Sequence, residues 1–146
     1  MRILLLAIPL VWGLSAQSRA EYVGGTATRL ESGASGAINI SDQNYFAFYA
    51  KKTQLRVAYD KIDLLEYGQK VDRRLLMAVV ISPMFLLSKN RKHFLSVGYI
   101  DEDGHHQALV FRVDKNGIRS ALVSLEARTG LRIQYQDEEA RKAGKG

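Results

Sequence analysis

The chain has 146 residues, 47% of them hydrophobic and 25% charged, with two prolines and no cysteine. That allows one packed domain and excludes a collagen-like or disordered chain, while the missing thiols exclude disulfides, cysteine nucleophiles and cysteine-held zinc or iron–sulfur centres. Lys and Arg number 21 against 15 Asp and Glu, a formal net charge of +6, which raises the question of an anionic partner.

Met1 and Arg2 precede an apolar stretch from Ile3 to Leu14, followed by small and polar residues that include Ser18 and Ala20. A charged start, a short apolar middle and a small-residue exit make a secretory signal peptide. Residues 1–20 are therefore expected to be a leader of an exported, periplasmic or secreted protein. Ser18 and Ala20 supply two small residues for cleavage after Ala20, and cleavage after Ala16 is the other option. An uncleaved anchor is the alternative, but a helix over the apolar stretch would reach only about 18 Å against a hydrocarbon core of about 30 Å. Removing residues 1–20 takes away Arg2 and Arg19, so 19 basic against 15 acidic side chains leave +4.

From Tyr22 the pattern has period two, broken by turn residues, which predicts an antiparallel sheet protein. The first run, Tyr22 to Leu30, ends in Glu31-Ser32-Gly33-Ala34-Ser35-Gly36. Ile38 and Ile40 then alternate with Asn39 and Ser41, Asp42-Gln43-Asn44 makes a turn, and Phe46 and Phe48 share one face of the next strand. Leu55, Val57 and Tyr59 alternate with Arg56, Ala58 and Asp60, and a short run from Ile62 to Tyr67 stops at Gly68.

Farther on, His93 to Ile100 places Leu95, Val97 and Tyr99 on one face, and Gln107 to Val113 does the same with Leu109, Phe111 and Val113. Asp103-Gly104 between them is a turn signal, so the two runs are expected to pair. Asp114 or Asn116 can cap a helix with Ile118, Ala121, Leu122 and Leu125 on its buried side and Gly130 as terminator. Leu131, Ile133 and Tyr135 suggest one more short strand. The segment 137–146 has no apolar residue except two alanines and is expected to be a flexible tail.

Several of these stretches resemble elements of pleckstrin-homology-like and GRAM-like domains. Gly36-Ala37-Ile38-Asn39-Ile40-Ser41-Asp42 is similar to their opening alternating strand, and Leu55 to Ile62 to the next element. His93 to Val113 is similar to their paired strands around an Asp-Gly turn, and Leu122-Val123-Ser124-Leu125-Glu126 with Thr129-Gly130 to their closing helix. The resemblance implies a mainly β fold over residues 21–136: an antiparallel sheet sandwich or partly open barrel closed by one C-terminal amphipathic helix. It also implies a non-catalytic binding module, with no cofactor; the ligand class does not follow from fold.

Residues 71–92 depart from that pattern, where the family has a short link. Arg73 and Arg74 precede thirteen residues, Leu75 to Leu87, whose only polar side chain is Ser82, and Lys89-Asn90-Arg91-Lys92 follow. As a helix these thirteen would reach about 20 Å, too short to span a bilayer, and Pro83 would kink it. In one reading Met84 and Phe85 insert shallowly into a membrane surface, or meet an envelope protein, while Arg73, Arg74, Lys89, Arg91 and Lys92 face anionic groups. In the other the run packs on the sheet and its basic flanks are solvated.

Asp101-Glu102-Asp103-Gly104-His105-His106 offers the residue types of a metal site. Adjacent histidines at a strand start point to opposite faces, however, and a turn rich in Asp and Gly needs no ligand; no metal is expected, and a small metal-dependent or hydrolytic enzyme is the alternative function. His93 reads as structural at a strand start. No nucleophile elbow or phosphate loop is present. Nucleic acid is not an expected partner, because the basic clusters are dispersed and lack interleaved stacking motifs.

Overall fold

The structure, a computed structural model, describes residues 17–70, 80–81 and 92–145. It is mainly β. Strands β1 (Gln17–Gly25), β2 (Ser35–Asn39), β3 (Tyr45–Ala50) and β4 (Gln54–Ala58) lead through a 3-10 turn at Tyr59–Lys61 into β5 (Ile62–Gly68). β6 (Val80–Ile81), β7 (His93–Ile100) and β8 (His106–Val113) follow, then helix α1 (Lys115–Thr129), β9 (Gln134–Tyr135) and helix α2 (Glu138–Lys145).

The strands form one sheet in the order β4-β3-β2-β1-β8-β7-β5-β9, with β6 paired to β1 at the side. Its ladders are antiparallel except for β5–β9. Among the described residues no ladder joins β4 to the other end, so the sheet is not closed into a barrel.

β1 is the hinge of this layout. Along one edge it pairs with β8 from Ala20 to Gly25, with a register shift between Tyr22 and Gly24. Its other edge is shared: Gln17 to Glu21 pair with β2, and Gly24 and Gly25 pair with β6. The expected first run thus starts five residues earlier than Tyr22 and stops at Gly25. Gln17 and Arg19 are exposed while Ser18, Ala20 and Tyr22 are buried. Residues 17–20, expected at the end of a leader, continue the inward alternation of Tyr22 with side chains small enough to sit under a helix.

The core lies between the sheet and α1. Phe111 is at its centre, with ring centroids of Tyr22, Phe46 and Phe48 at 5.7, 5.7 and 5.0 Å. Ile118, Ala121, Leu122 and Leu125 of α1 are buried against these strands, the stripe that the helical spacing predicted. Asp114 opens α1 in extended conformation, its carbonyl accepting from the Gly117 and Ile118 amides. Gly130 ends the helix at φ 74°, where its amide reaches the Glu126 carbonyl; a side chain at that φ would be strained.

On the opposite face of β1, β7 and β8, by strand alternation, Val23, Phe94, Ser96 and Val110 are also buried. The β7–β8 hairpin turns at Asp103-Gly104 as expected, with Ile100 opposite His106.

The flexible-tail expectation is corrected. Glu138–Lys145 is a helix, so two helices rather than one close the fold. Asp137 Oδ1 accepts from the Ala140 amide at 2.7 Å as an N-cap. Ala140 is fully buried, and Gly144 lies close to Tyr67, Tyr135 and Leu122. The absence of large apolar residues is what permits this close approach, since alanine and glycine let the helix backbone settle directly on aromatic rings.

Candidate functional site

Of the seven side chains singled out in the basic-flanked segment, Lys92 is described. Arg73, Arg74, Met84, Phe85, Lys89 and Arg91 lie outside the described residues. The segment's two ends and the pair Val80–Ile81 are described. It leaves β5 at Gly68 and rejoins at β7, and the Lys92 amide donates to the Gln69 carbonyl at 3.4 Å, so its two ends meet. Midway, Val80 and Ile81 pair with Gly25 and Gly24 of β1.

The body of the protein adds cations at the segment's base. Lys70 and Lys92 flank it, and His93 is opposite Val113, which brings the first turn of α1 alongside. Lys115 and Arg119 are exposed on that turn and both act electrostatically on His93. Burial first, then these two cations, lower the His93 pKa below its usual 6.5. No local pattern links Lys115 and Arg119 to His93, because the β7–β8 register is what brings α1 beside it.

His93 is held structurally. Its Nδ1 is 2.6 Å from the Tyr67 hydroxyl, and the two rings stack at 6.0 Å with an interplanar angle of 20°. Burial raises the Tyr67 pKa, and the direction of this hydrogen bond follows the imidazole tautomer. The unfolded chain accepts a proton at this histidine more readily than the folded one. The stability that His93 contributes is thus present above about pH 6.5 and lost as pH falls through its lowered folded-state pKa. Urea midpoints are expected to fall as the pH drops from about 7.5 to about 5, and His93→Gln should flatten that slope. An unchanged slope in the variant would assign it to other groups. Asp42 and Asp101, also lowered, contribute stability that is present above their usual 3.8 and is lost only at lower pH.

The second polar concentration is the β7–β8 turn. Ligand-type atoms of Asp101, Asp103 and His105 lie within 4.8 Å of one another. Asp101 is already engaged: Oδ1 accepts from the amides of His105 at 2.8 Å and Asp103 at 3.0 Å, and Oδ2 from the Gln107 side chain at 2.7 Å. The His105 amide is the main cause of its lowered pKa. The two histidines separate as strand geometry requires, His106 Nδ1 being 3.0 Å from Asp63 and His105 Nδ1 3.7 Å from Asp101. The Asp101 carboxylate is thus held by hydrogen bonds within the turn.

Elsewhere the described surface offers two shallow, open depressions. One, of about 460 Å³, is lined by Asn44, Tyr45, Tyr59 and Arg128 among others. The other, of about 360 Å³, lies along Arg19, Glu21 and Arg112, where the Arg112 guanidinium donates to Glu21 across the β1–β8 ladder. No protein-family model matches the chain, and no curated protein matches it.

Proposed function

We propose that the protein is an exported, non-catalytic binding module of the pleckstrin-homology-like kind, meeting an anionic membrane surface through the basic-flanked segment 73–92. The observation that carries this reading is the clustering of cations from three parts of the chain. Lys70 and Lys92 flank the segment and Lys115 and Arg119 of α1 act on the neighbouring His93, while the sequence of the segment itself carries Arg73, Arg74, Lys89 and Arg91. A run of antiparallel strands followed by a closing helix supports the family resemblance, being the order of elements expected from it.

Cations near a strongly anionic surface contribute about 1 kcal/mol each, and replacing Arg91 and Lys92 by alanine should weaken association about 30-fold. Sedimentation with anionic vesicles is expected to show binding at low salt that 0.5 M salt abolishes, on the scale of a few-ångström Debye length, and none to neutral vesicles. Lys115→Ala with Arg119→Ala should weaken it as well. Failure to bind anionic vesicles at low salt overturns the membrane assignment and leaves an envelope protein as the partner. If Phe85→Asp abolishes folding, the apolar run belongs to the core.

A second reading, a metal-dependent or hydrolytic enzyme at the β7–β8 turn, has the proximity of Asp101, Asp103 and His105 in its favour. Metal in the purified protein that His105→Ala removes would support it.

A further inference from the structure

We propose that the exported chain is cut between Ala16 and Gln17, so that the mature protein keeps β1 whole. This rests on the export reading given above. The step is hydrolysis of one amide by a leader peptidase: water is consumed, Ala16 leaves as a carboxylate, and Gln17 gains a free ammonium group.

Sequence alone prefers Ala20, because Ser18 and Ala20 are both small, whereas the earlier site has Leu14 three residues before Gln17. The fold reverses that preference. Cutting after Ala20 would remove four of the five β1–β2 register pairs: Gln17 with Asn39, Ser18 with Ile38, Arg19 with Ala37 and Ala20 with Gly36. Among the described residues that ladder is what joins β4-β3-β2 to β8-β7-β5. The later cut would also strip the seat of α1. The Ser18 hydroxyl donates to the Gly117 carbonyl at 3.2 Å, and the Asp114 amide donates to the Arg19 carbonyl at 3.1 Å. Helix and strand are so close here that a Cβ on Gly117 would stand 2.6 Å from Ser18 Oγ.

The new terminus adds a further cost. After Ala20 the ammonium would sit on half-buried Glu21, in mid-sheet and directly opposite Arg112. At Gln17 it sits on an exposed residue at the strand end. The same small side chains that make Ser18 and Ala20 acceptable to a peptidase are needed beneath the helix.

Full-length protein is expressed with export, and the exported form is measured by intact mass and N-terminal sequencing. The expected N-terminus is Gln17, or its cyclised form after loss of ammonia. A terminus at Glu21 overturns the inference and leaves the export reading standing. An exported chain that still begins at Met1 overturns cleavage and this inference together, whereas a chain that stays in the cytoplasm overturns the export reading. In a second arm, Ala16→Gln removes the small residue at the cut while leaving every β1 residue in place. Accumulation of unprocessed chain supports the inference, and processing to Glu21 with undiminished yield overturns it.

Discussion

A recombinant chain that starts at Glu21 should show no cooperative unfolding transition, whereas one that starts at Gln17 should show a single sharp one. The difference comes from the middle of the sheet. Residues 17–20 supply four β1–β2 register pairs, two buried side chains and two hydrogen bonds to the start of α1. At about 1 kcal/mol net for each hydrogen bond, with the burial of Ser18 and Ala20 added, the loss is on the order of 5 kcal/mol. That equals the lower end of the whole stability of an ordinary domain, about 5–15 kcal/mol. Urea denaturation followed by circular dichroism, with amide dispersion in NMR as a second probe, makes the comparison. Equal midpoints for the two chains would mean that the β1–β2 ladder contributes little to the fold.

Phe111→Ala should cost about 3–5 kcal/mol, the range for a large aromatic removed from a packed interior. Phe111 is fully buried, and three aromatic rings from β1 and β3 close on it at 5.0 to 5.7 Å. It therefore joins side chains of β1 and β3 to β8. Truncation leaves a cavity that neighbours from two separate ladders cannot collapse to fill. Tyr45, 44% exposed at the rim of β3, is the control; Tyr45→Ala should change the urea midpoint by no more than about 0.5 kcal/mol equivalent. If the two variants were equally stable, the core would not be organised around Phe111.

Much of this architecture is legible in the chain because local signals agree. The α1 stripe of Ile118, Ala121, Leu122 and Leu125 has helical spacing between an Asp cap and a Gly stop, and the β7–β8 pair is two period-two runs around Asp-Gly. Phe46 and Phe48 declare their inward face by spacing alone. Where legibility fails, the determinants are small residues or distant partners. Ser18 and Ala20 carry too little hydrophobicity to mark a strand, and the pattern of a leader exit is satisfied by the same two residues. Ala140 and Gly144 carry none of the bulk by which a buried helix is ordinarily read, although their smallness is what lets α2 dock. Asp63 interrupts the alternation of β5 because the ladder shifts register between Ile62 and Leu64.

The candidate site divides in the same way. The charge bracket of residues 73–92 is visible in sequence, whereas the approach of Lys115 and Arg119 to His93 depends on His93 lying opposite Val113. The Tyr67–His93 hydrogen bond likewise joins residues 26 positions apart, and no local pattern announces it. The Asp101 turn shows the reverse: its composition suggests a metal site, and its hydrogen bonds use the same oxygens to hold the loop.

The position of β1 also governs when the fold can be completed. Its long edge is filled by β8, and Glu21 meets Arg112 across a separation of 91 residues. The β1-β2-β3-β4 meander can form as soon as it is synthesised, yet the other edge of β1 stays open until β8 has been made. Closing so long a loop makes folding slow relative to helical domains of this size. One edge of the first strand made is thus among the last parts of the sheet to be filled.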